Sequence, residues 1–590
     1  LNHYRFFTAS GRKEAGRRRG EIIRLPFFHK FMTDRFEIAA HLREIARLLT
    51  VLGENPFKVQ AYERAARSLE KLDGDLDALV GSRRLTAIPG VGTALASIIE
   101  EIYRTGECTM LQRMRQELPP GVVELSAVPG LSLKKITALH DALHIESVVG
   151  LKTACQEGLV RNVKGFGKKS EAKLLEDIEK LDSRKEGSLL LVHALEEAKR
   201  ILQHLRACPE LRAADAAGAL RRRKEMVEQI TIVAASDHPR TVLDRFLSYP
   251  ALARTDELDE SRCVARLAGG FRTELVIVQP EQYIPALHAR TGSRRHIAKL
   301  RAIEHGNGIK PGALTSESDI YGSLGLQYIP PELREDEGEI EAAAAGTLPD
   351  GVTLEDIRGM THCHTIYSDG RNSVEEMAMA ADAMGMDYLT ITDHSASAYY
   401  ARGVSIDRLR AQWDEIARVQ ERVKVKLLKG TESDILEDGS LDYPDHILER
   451  FDIIIASIHS RHKMDAAQMT ERILRAVKSP FFKIWGHPLG RMLPSRPPFA
   501  CRVEELLDAI AESRCAIEVN GDPYRLDLEP RWIRCARQRG IKFIVSTDAH
   551  SAGNMGNLHF GIAMARRGWL TRGDVLNTLD AEKFIQAVHP

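Results

Sequence analysis

The sequence predicts a multidomain α+β chain with a helical front, a mixed α/β middle and a C-terminal (βα)-barrel. Three observations carry that prediction. The chain has 590 residues, room for roughly four domains at about 150 residues each. Its front repeats a glycine-bearing turn between short apolar helices. Its back holds a series of apolar, strand-like runs that end in a histidine or a carboxylate.

Composition sets outer limits. Hydrophobic residues make up 43% and charged residues 28% of the chain, the balance of globular protein rather than of disorder. No apolar run reaches bilayer length and no signal-peptide pattern opens the sequence, so a cytoplasmic, non-membrane protein is expected. Lys plus Arg and Asp plus Glu both total 83, for a formal net charge of +0. Local basic clusters can still bind nucleic acid. The eight cysteines include no C-x-x-C pair, which argues against a disulfide scaffold or a cysteine zinc ribbon.

Residues 1–31 are basic (Arg17, Arg18, Arg19) and unpatterned, and read as an extension or disordered tail. Helical periodicity follows Met32-Thr33-Asp34, through Ile38, Leu42, Ile45, Leu48 and Leu49. The repeated turn is Pro89-Gly90-Val91-Gly92, then Pro129-Gly130-Leu131-Ser132, then Gly165-Phe166-Gly167-Lys168-Lys169. Glycine permits the tight turn, and the N–H groups opening the next helix can grip a phosphate. One such turn alone favours an ordinary helix corner. Three of them, with Lys134, Lys135, Lys168 and Lys169 just beyond, favour helix-hairpin-helix modules that hold a backbone without reading bases. The candidate DNA contacts are Gly90, Gly92, Gly130, Gly165, Gly167, Lys168 and Lys169; Ser132 weakens the middle copy. Domains are expected over 32–110, 111–185, 186–345 and 346–590. The last boundary follows the acidic stretch from Glu335 and the turn Pro349-Asp350-Gly351.

Beyond that boundary one design recurs. Tyr388-Leu389-Thr390-Ile391-Thr392 leads to Asp393-His394, and Lys426-Leu427-Leu428 leads to Glu432. Further runs end in His459, His487, Glu518 and Asp548-Ala549-His550, with amphipathic helices such as Val374 to Met384 between them. Polar residues at the ends of alternating strands describe a parallel barrel with its site at one mouth. His362-Cys363-His364 opens the series, with Asp369 shortly after. Imidazoles two apart on an extended strand point the same way and can share an ion. A lone histidine is more often a core or surface residue, and His446, His462 and His559 are read so. Asp393 reads as orienting its neighbour.

Asn55-Pro56-Phe57-Lys58-Val59-Gln60-Ala61-Tyr62, followed by the hairpins, resembles the front of a bacterial X-family DNA polymerase (PolX). Tyr328-Ile329-Pro330-Pro331-Glu332-Leu333-Arg334-Glu335 resembles the segment closing that family's polymerase core, and the barrel residues resemble its PHP (polymerase and histidinol phosphatase) domain. The resemblance runs from about Met32 to the C-terminus. It implies a nucleotidyltransferase-like palm and thumb over 186–345, and it marks 111–185 as fingers-like. The lyase lysine of eukaryotic relatives falls on Ile98, which cannot form a Schiff base.

The palm pattern persists at Ala217-Gly218-Ala219-Leu220-Arg221-Arg222, with Ala219, Arg223 and Ile297 departing from it. The paired catalytic aspartates fall on Gln229 and Thr231, and the third on Glu274. One glutamate with two neutral partners seats a magnesium pair poorly. Glu228 cannot substitute, because a one-residue slip flips the strand face. A catalytically dead palm is expected, with Mg2+ a cofactor only if that site works.

For the PHP domain, the resemblance implies three ions, manganese or zinc. His362, His364, Glu432 and Asp548 would hold one; Glu432, His459 and His487 a second; Asp369, His394 and His550 a third. His362, His364, Glu432, Asp548 and His550 would stand at the reacting centre, where clustered ions activate water for attack on a phosphodiester. Arg491 and Arg525 are candidate phosphate grips; a buried salt bridge with Asp527 is an equal reading for Arg525. The expected function is DNA repair by 3′→5′ exonuclease action in the bacterial cytosol, with abasic-site cleavage as a further option. The DNA would be gapped, primer-template or abasic. The alternatives are an active gap-filling polymerase, a histidinol-phosphatase-like enzyme of small molecules and a non-catalytic DNA-end tether.

Overall fold

The computed structural model describes residues 35–588, apart from 71–75, 106–107, 119–120, 127, 129, 184–186, 268–269, 308–314 and 514. The tail expected over 1–31 and Pro129 of the second turn lie outside the described residues. The chain divides into two compact units, Leu1–Ala127 with Leu131–Ile136, and Val128–Gly130 with Thr137–Pro590.

In the first unit, helices Arg35–Val51 and Pro56–Glu70 pack together. The stripe Ile38, Leu42, Ile45, Leu48 and Leu49 is buried as its spacing requires, against Ala65, Ala66, Leu69, Ile99 and Ile102. Ile98 packs against the same core.

The three turns share one local geometry. Gly90, Gly130 and Gly165 sit at φ +84°, +81° and +94°, a conformation that side chains with a Cβ avoid. Helices Thr93–Thr105, Leu133–Leu143 and Lys168–Ser183 each begin three residues later. The carbonyls of Gly92, Ser132 and Gly167 accept the first helical bonds, from Ala96, Ile136 and Glu171 at 2.8–2.9 Å. Ser132 therefore leaves the middle turn intact.

In the second unit, β1 (Leu189–Leu190) pairs antiparallel with β3 (Met226–Val227). A five-stranded sheet runs β2 (Ala213–Ala217), β4 (Gln229–Ala235), β7 (Arg272–Val278), β6 (Arg262–Leu267), β5 (Leu252–Leu258). Only β4 and β7 are parallel neighbours. Ile230, Ile232, Leu275 and Ile277 share a core with helices Leu191–Leu205 and Pro239–Leu247. Side chains alternate along a strand, so Gln229, Thr231 and Glu274 lie on the opposite face.

A seven-stranded parallel sheet follows: β8 (Gly359–Met360), β9 (Tyr388–Ile391), β10 (Lys426–Asp434), β11 (Ile453–Ser457), β12 (Ile484–Trp485), β13 (Ala516–Asn520) and β14 (Lys542–Ser546), neighbours in chain order. Beyond β8 and β14, Cys363 and Ala549 form a parallel bridge that brings the two ends of the sheet together. Ala549 N–H donates to His362 O at 3.0 Å and His364 N–H to Ala549 O at 2.8 Å. Tyr388, Leu428, Ile455, Ile484 and Ile544 form one cluster with Phe584 of the C-terminal helix Ala581–Val588. That cluster fills the barrel interior and leaves the C-terminal ends of the strands for polar groups. Among the described residues, no helix is long and apolar enough to cross a membrane.

Candidate metal centre

Strand alternation selects the residues of the site. His394, Glu432, His459 and Asp548 each lie an even number of residues beyond an interior side chain: Tyr388, Leu428, Ile455 and Ile544. They continue the inward row past the apolar fill. Asp393 has the opposite parity. Its carboxylate accepts Thr365 N–H at 2.7 Å, Thr365 Oγ1–H at 2.6 Å and Gln412 Nε2–H at 2.6 Å. Asp393 thus pins the turn leading to Asp369 rather than orienting His394.

Among the described residues, three overlapping groups of ligand atoms form, the atoms of each lying within 4.8 Å of one another: His362, His364, Glu432 and Asp548; His364, Asp369, His394 and His550; His394, Glu432 and His459. His487 Nε2 joins them, 2.7 Å from Glu432 Oε1 and 3.3 Å from His459 Nε2. All nine candidate ligands are brought together. Glu432, fully buried, belongs to more than one group. His446, His462 and His559 stay outside them.

The donor set fits divalent cations. His362 Nε2, His364 Nδ1, His394 Nδ1 and Glu432 Oε2 are buried without a formed hydrogen bond, and Glu432 Oε2 lies 3.0 Å from His394 Nδ1 and 3.4 Å from His362 Nε2, the convergence of donor atoms that a cation requires. Burial, with the charges of His550 and His394, pushes His364 down to about 4, whereas, against burial, the carboxylates Glu432 and Asp369 push His394 up to about 10. Burial alone would raise the Asp548 carboxyl, but His362, His364 and His550 hold it well below the usual carboxylate range.

A second layer fixes the first. His362 Nδ1 and Glu518 Oε1 share a 2.6 Å hydrogen bond, and Ser546 Oγ donates to the same oxygen at 2.6 Å. His459 Nδ1 and Asp434 Oδ1 share another at 2.6 Å. Such partners set the ring orientation and tautomer of metal-binding histidines. Sequence reading missed Asp434, although it follows Glu432 by two and so shares its face. His487 and Asp548 hold φ of +22° and +50°, backbone strain of the kind stored at functional sites. At Gly370, a Cβ would lie 2.5 Å from the His364 carbonyl carbon, so the chain can pass this close only as glycine.

The two arginines part company. Arg525 Nε lies 3.2 Å from Asp548 Oδ2, so its ion pair is with a candidate ligand and not with Asp527. Arg491 is 5% exposed. Its guanidinium donates to the carbonyls of Arg525 and Leu526 and faces Glu225 and Glu529.

On the five-stranded sheet, Thr231 and Glu274 are register partners. Gln229 Nε2 donates to Thr231 Oγ1 at 2.9 Å and to Glu274 Oε2 at 2.8 Å. Arg262 Nε and Arg290 Nη1 donate to Glu274 Oε1 at 2.7 and 3.2 Å. Arg221 forks onto Glu317 at 2.7–2.9 Å, and Arg222 donates to Glu335 at 2.8 Å.

Fold and site together define a helix-hairpin-helix protein that ends in a PHP barrel. Residues 34–108 match a helix-hairpin-helix domain model, 122–180 a SAM-like helix-hairpin-helix tandem and 361–522 the PHP domain. The chain is 33% identical to the DNA polymerase/3'-5' exonuclease PolX of Bacillus subtilis (strain 168), over 92% of this chain and 99% of that protein. It belongs to the PolX family. A protein described as a probable phosphatase in Thermoanaerobacter sp. (strain X514) is 29% identical over 37% of this chain and 89% of its own length. One so described in Caldanaerobacter subterraneus is 28% identical over 37% and 86%.

Proposed function

We propose that this chain is a DNA repair enzyme that shortens DNA from 3′ ends by hydrolysing phosphodiesters at the barrel mouth. The observation that carries the reading is the convergence of nine ligand-type side chains on Glu432 and its neighbours. His362, His364, Asp369, His394, Glu432, His459, His487, Asp548 and His550 would hold up to three manganese or zinc ions. Such ions activate water and neutralise a phosphodiester. Arg525, beside Asp548, would meet the phosphate. Glu518 and Asp434 keep His362 and His459 aimed.

DNA would be held by the exposed starts of the hairpin helices at Gly90, Gly92, Gly130, Gly165, Gly167, Lys168 and Lys169. Abasic-site cleavage would use the same mouth. Nucleotide addition is not expected. Gln229 and Thr231 are neutral, and Glu274 already serves Arg262 and Arg290. The probable phosphatases that match 37% of this chain support a second reading, hydrolysis of a small phosphate ester. Steep weakening of DNA binding with salt would favour the first.

The test is a manganese-supplemented time course on an end-labelled primer-template, with and without nucleotides, for the wild type and His364→Ala. Shortening by the wild type alone supports the assignment. Nucleotide-dependent lengthening by both proteins would overturn the inactive palm.

A further inference from the structure

Two exposed tyrosines stand on the turn that follows His394. Tyr399 is 88% and Tyr400 66% exposed, although nearly all other large aromatic side chains of the barrel region are buried or half-buried. Both lie on the turn Tyr399–Ala401, which is tied down from every side. Ser397 N–H donates to Asp442 at 2.6 Å and Ser397 Oγ to Asp434 at 3.0 Å. Gly403 N–H donates to Ala398 O at 3.0 Å, and Val404 N–H to His394 O at 2.8 Å. Ala398 and Ala401 are fully buried. A Cβ at Gly403 would lie 1.9 Å from Ser395 O, so this turn is packed tightly against the strand end. The Tyr400 ring lies 5.8 Å from the His394 ring and 5.9 Å from the His459 ring. A rigid turn thus presents the Tyr400 ring directly beside two candidate ligands and carries the exposed Tyr399 as the preceding residue.

Aromatic rings held beside a phosphodiester site are stacking platforms for bases, and they tolerate every base because each has a π-face. We propose that Tyr400 and Tyr399 stack the unpaired terminal bases of a DNA 3′ end and so set the preference for nucleic acid over small phosphate esters. The inference rests on the exonuclease reading for its substrate, and two separate readouts keep the pair distinguishable.

The binding readout uses the full-length protein in manganese buffer and a single-stranded oligodeoxynucleotide. Its 3′-terminal 2-aminopurine is joined through a cleavage-resistant phosphorothioate. Fluorescence quenching is expected with the wild type and with Tyr399→Phe/Tyr400→Phe, and is expected to disappear with Tyr399→Ala/Tyr400→Ala. The hydrolysis readout expects KM for a normal 3′ end to rise about tenfold in the alanine variant with kcat little changed, and the phenylalanine variant to match wild type. KM for an oligonucleotide ending in two consecutive base-free tetrahydrofuran residues should be the same in all three proteins. Equal quenching by the alanine variant and the wild type would overturn the stacking proposal whether or not DNA is cut. Quenching as expected, without any shortening by the wild type, would uphold the platform and sink the exonuclease reading instead.

Discussion

Gln229 Nε2 donates to Glu274 Oε2 at 2.8 Å across the parallel strands β4 and β7. An amide thus occupies the space beside the carboxylate, while Arg262 and Arg290 take its other oxygen. A divalent ion there would have to displace two guanidinium groups and would gain a single anionic ligand, which hard cations bind poorly. Purified wild-type protein should add no nucleotides to a primer in magnesium or manganese. Extension at a rate near that of active relatives would contradict this.

The hydrogen bond between His362 and Glu518 predicts a metal phenotype without direct ligand loss. Glu518→Gln should weaken metal retention and hydrolysis by about 10–100-fold. Bound metal after dialysis, measured by elemental analysis, checks it; unchanged occupancy would show that His362 needs no such partner.

Chelation should lower the melting temperature as well as stop hydrolysis. Four buried nitrogen and oxygen atoms of His362, His364, His394 and Glu432 are without a formed hydrogen bond, and a ligand of the native state stabilises it in proportion to its binding. A scan with and without EDTA, then with manganese restored, should show a fall and a recovery.

Glu317 gives a pH dependence. Burial raises its carboxyl, but hydrogen bonds from Arg221 and the charge of Arg334 bring it down to about 2. A depressed carboxyl stabilises the fold fully above its unfolded value, about 4.5, and loses that contribution as pH falls toward 2. Arg334 is fully buried, so Glu317→Ala should cost about 3–5 kcal/mol near neutrality. The gap in melting temperature between wild type and variant should narrow between pH 5 and pH 3. A constant gap would place the stabilisation elsewhere.

The hairpins predict a salt signature. Gly165 has open space around it but φ of +94°, so Gly165→Val should cost about 1–2 kcal/mol through the backbone alone and weaken DNA binding. Lys168→Ala/Lys169→Ala should flatten the dependence of log K on log salt by about one unit per lost phosphate contact. A slope equal to that of wild type would remove these lysines from the interface.

Much of the site is legible in the amino-acid sequence. Strand alternation and strand-end position mark His394, Glu432, His459 and Asp548 without reference to their neighbours. Three glycine turns mark the hairpins, each of which needs only a positive φ and a short helix start. These are local properties, and a sequence states local properties directly.

Tertiary structure decided what depends on distant partners. The bridge between Cys363 and Ala549 sets His364 and Asp548, 184 residues apart, at 3.2 Å. Residue type alone makes Arg491 and Arg525 equal candidates for gripping phosphate, but closure of the chain buries one on backbone carbonyls and leaves the other against Asp548. Sequence alone determined which residue types stand at each strand end and that Gln229 and Thr231, two apart on one strand, are neutral. Only the folded chain decided their partners, because hydrogen-bond and ion-pair choices follow from long-range strand pairing and not from spacing along the chain.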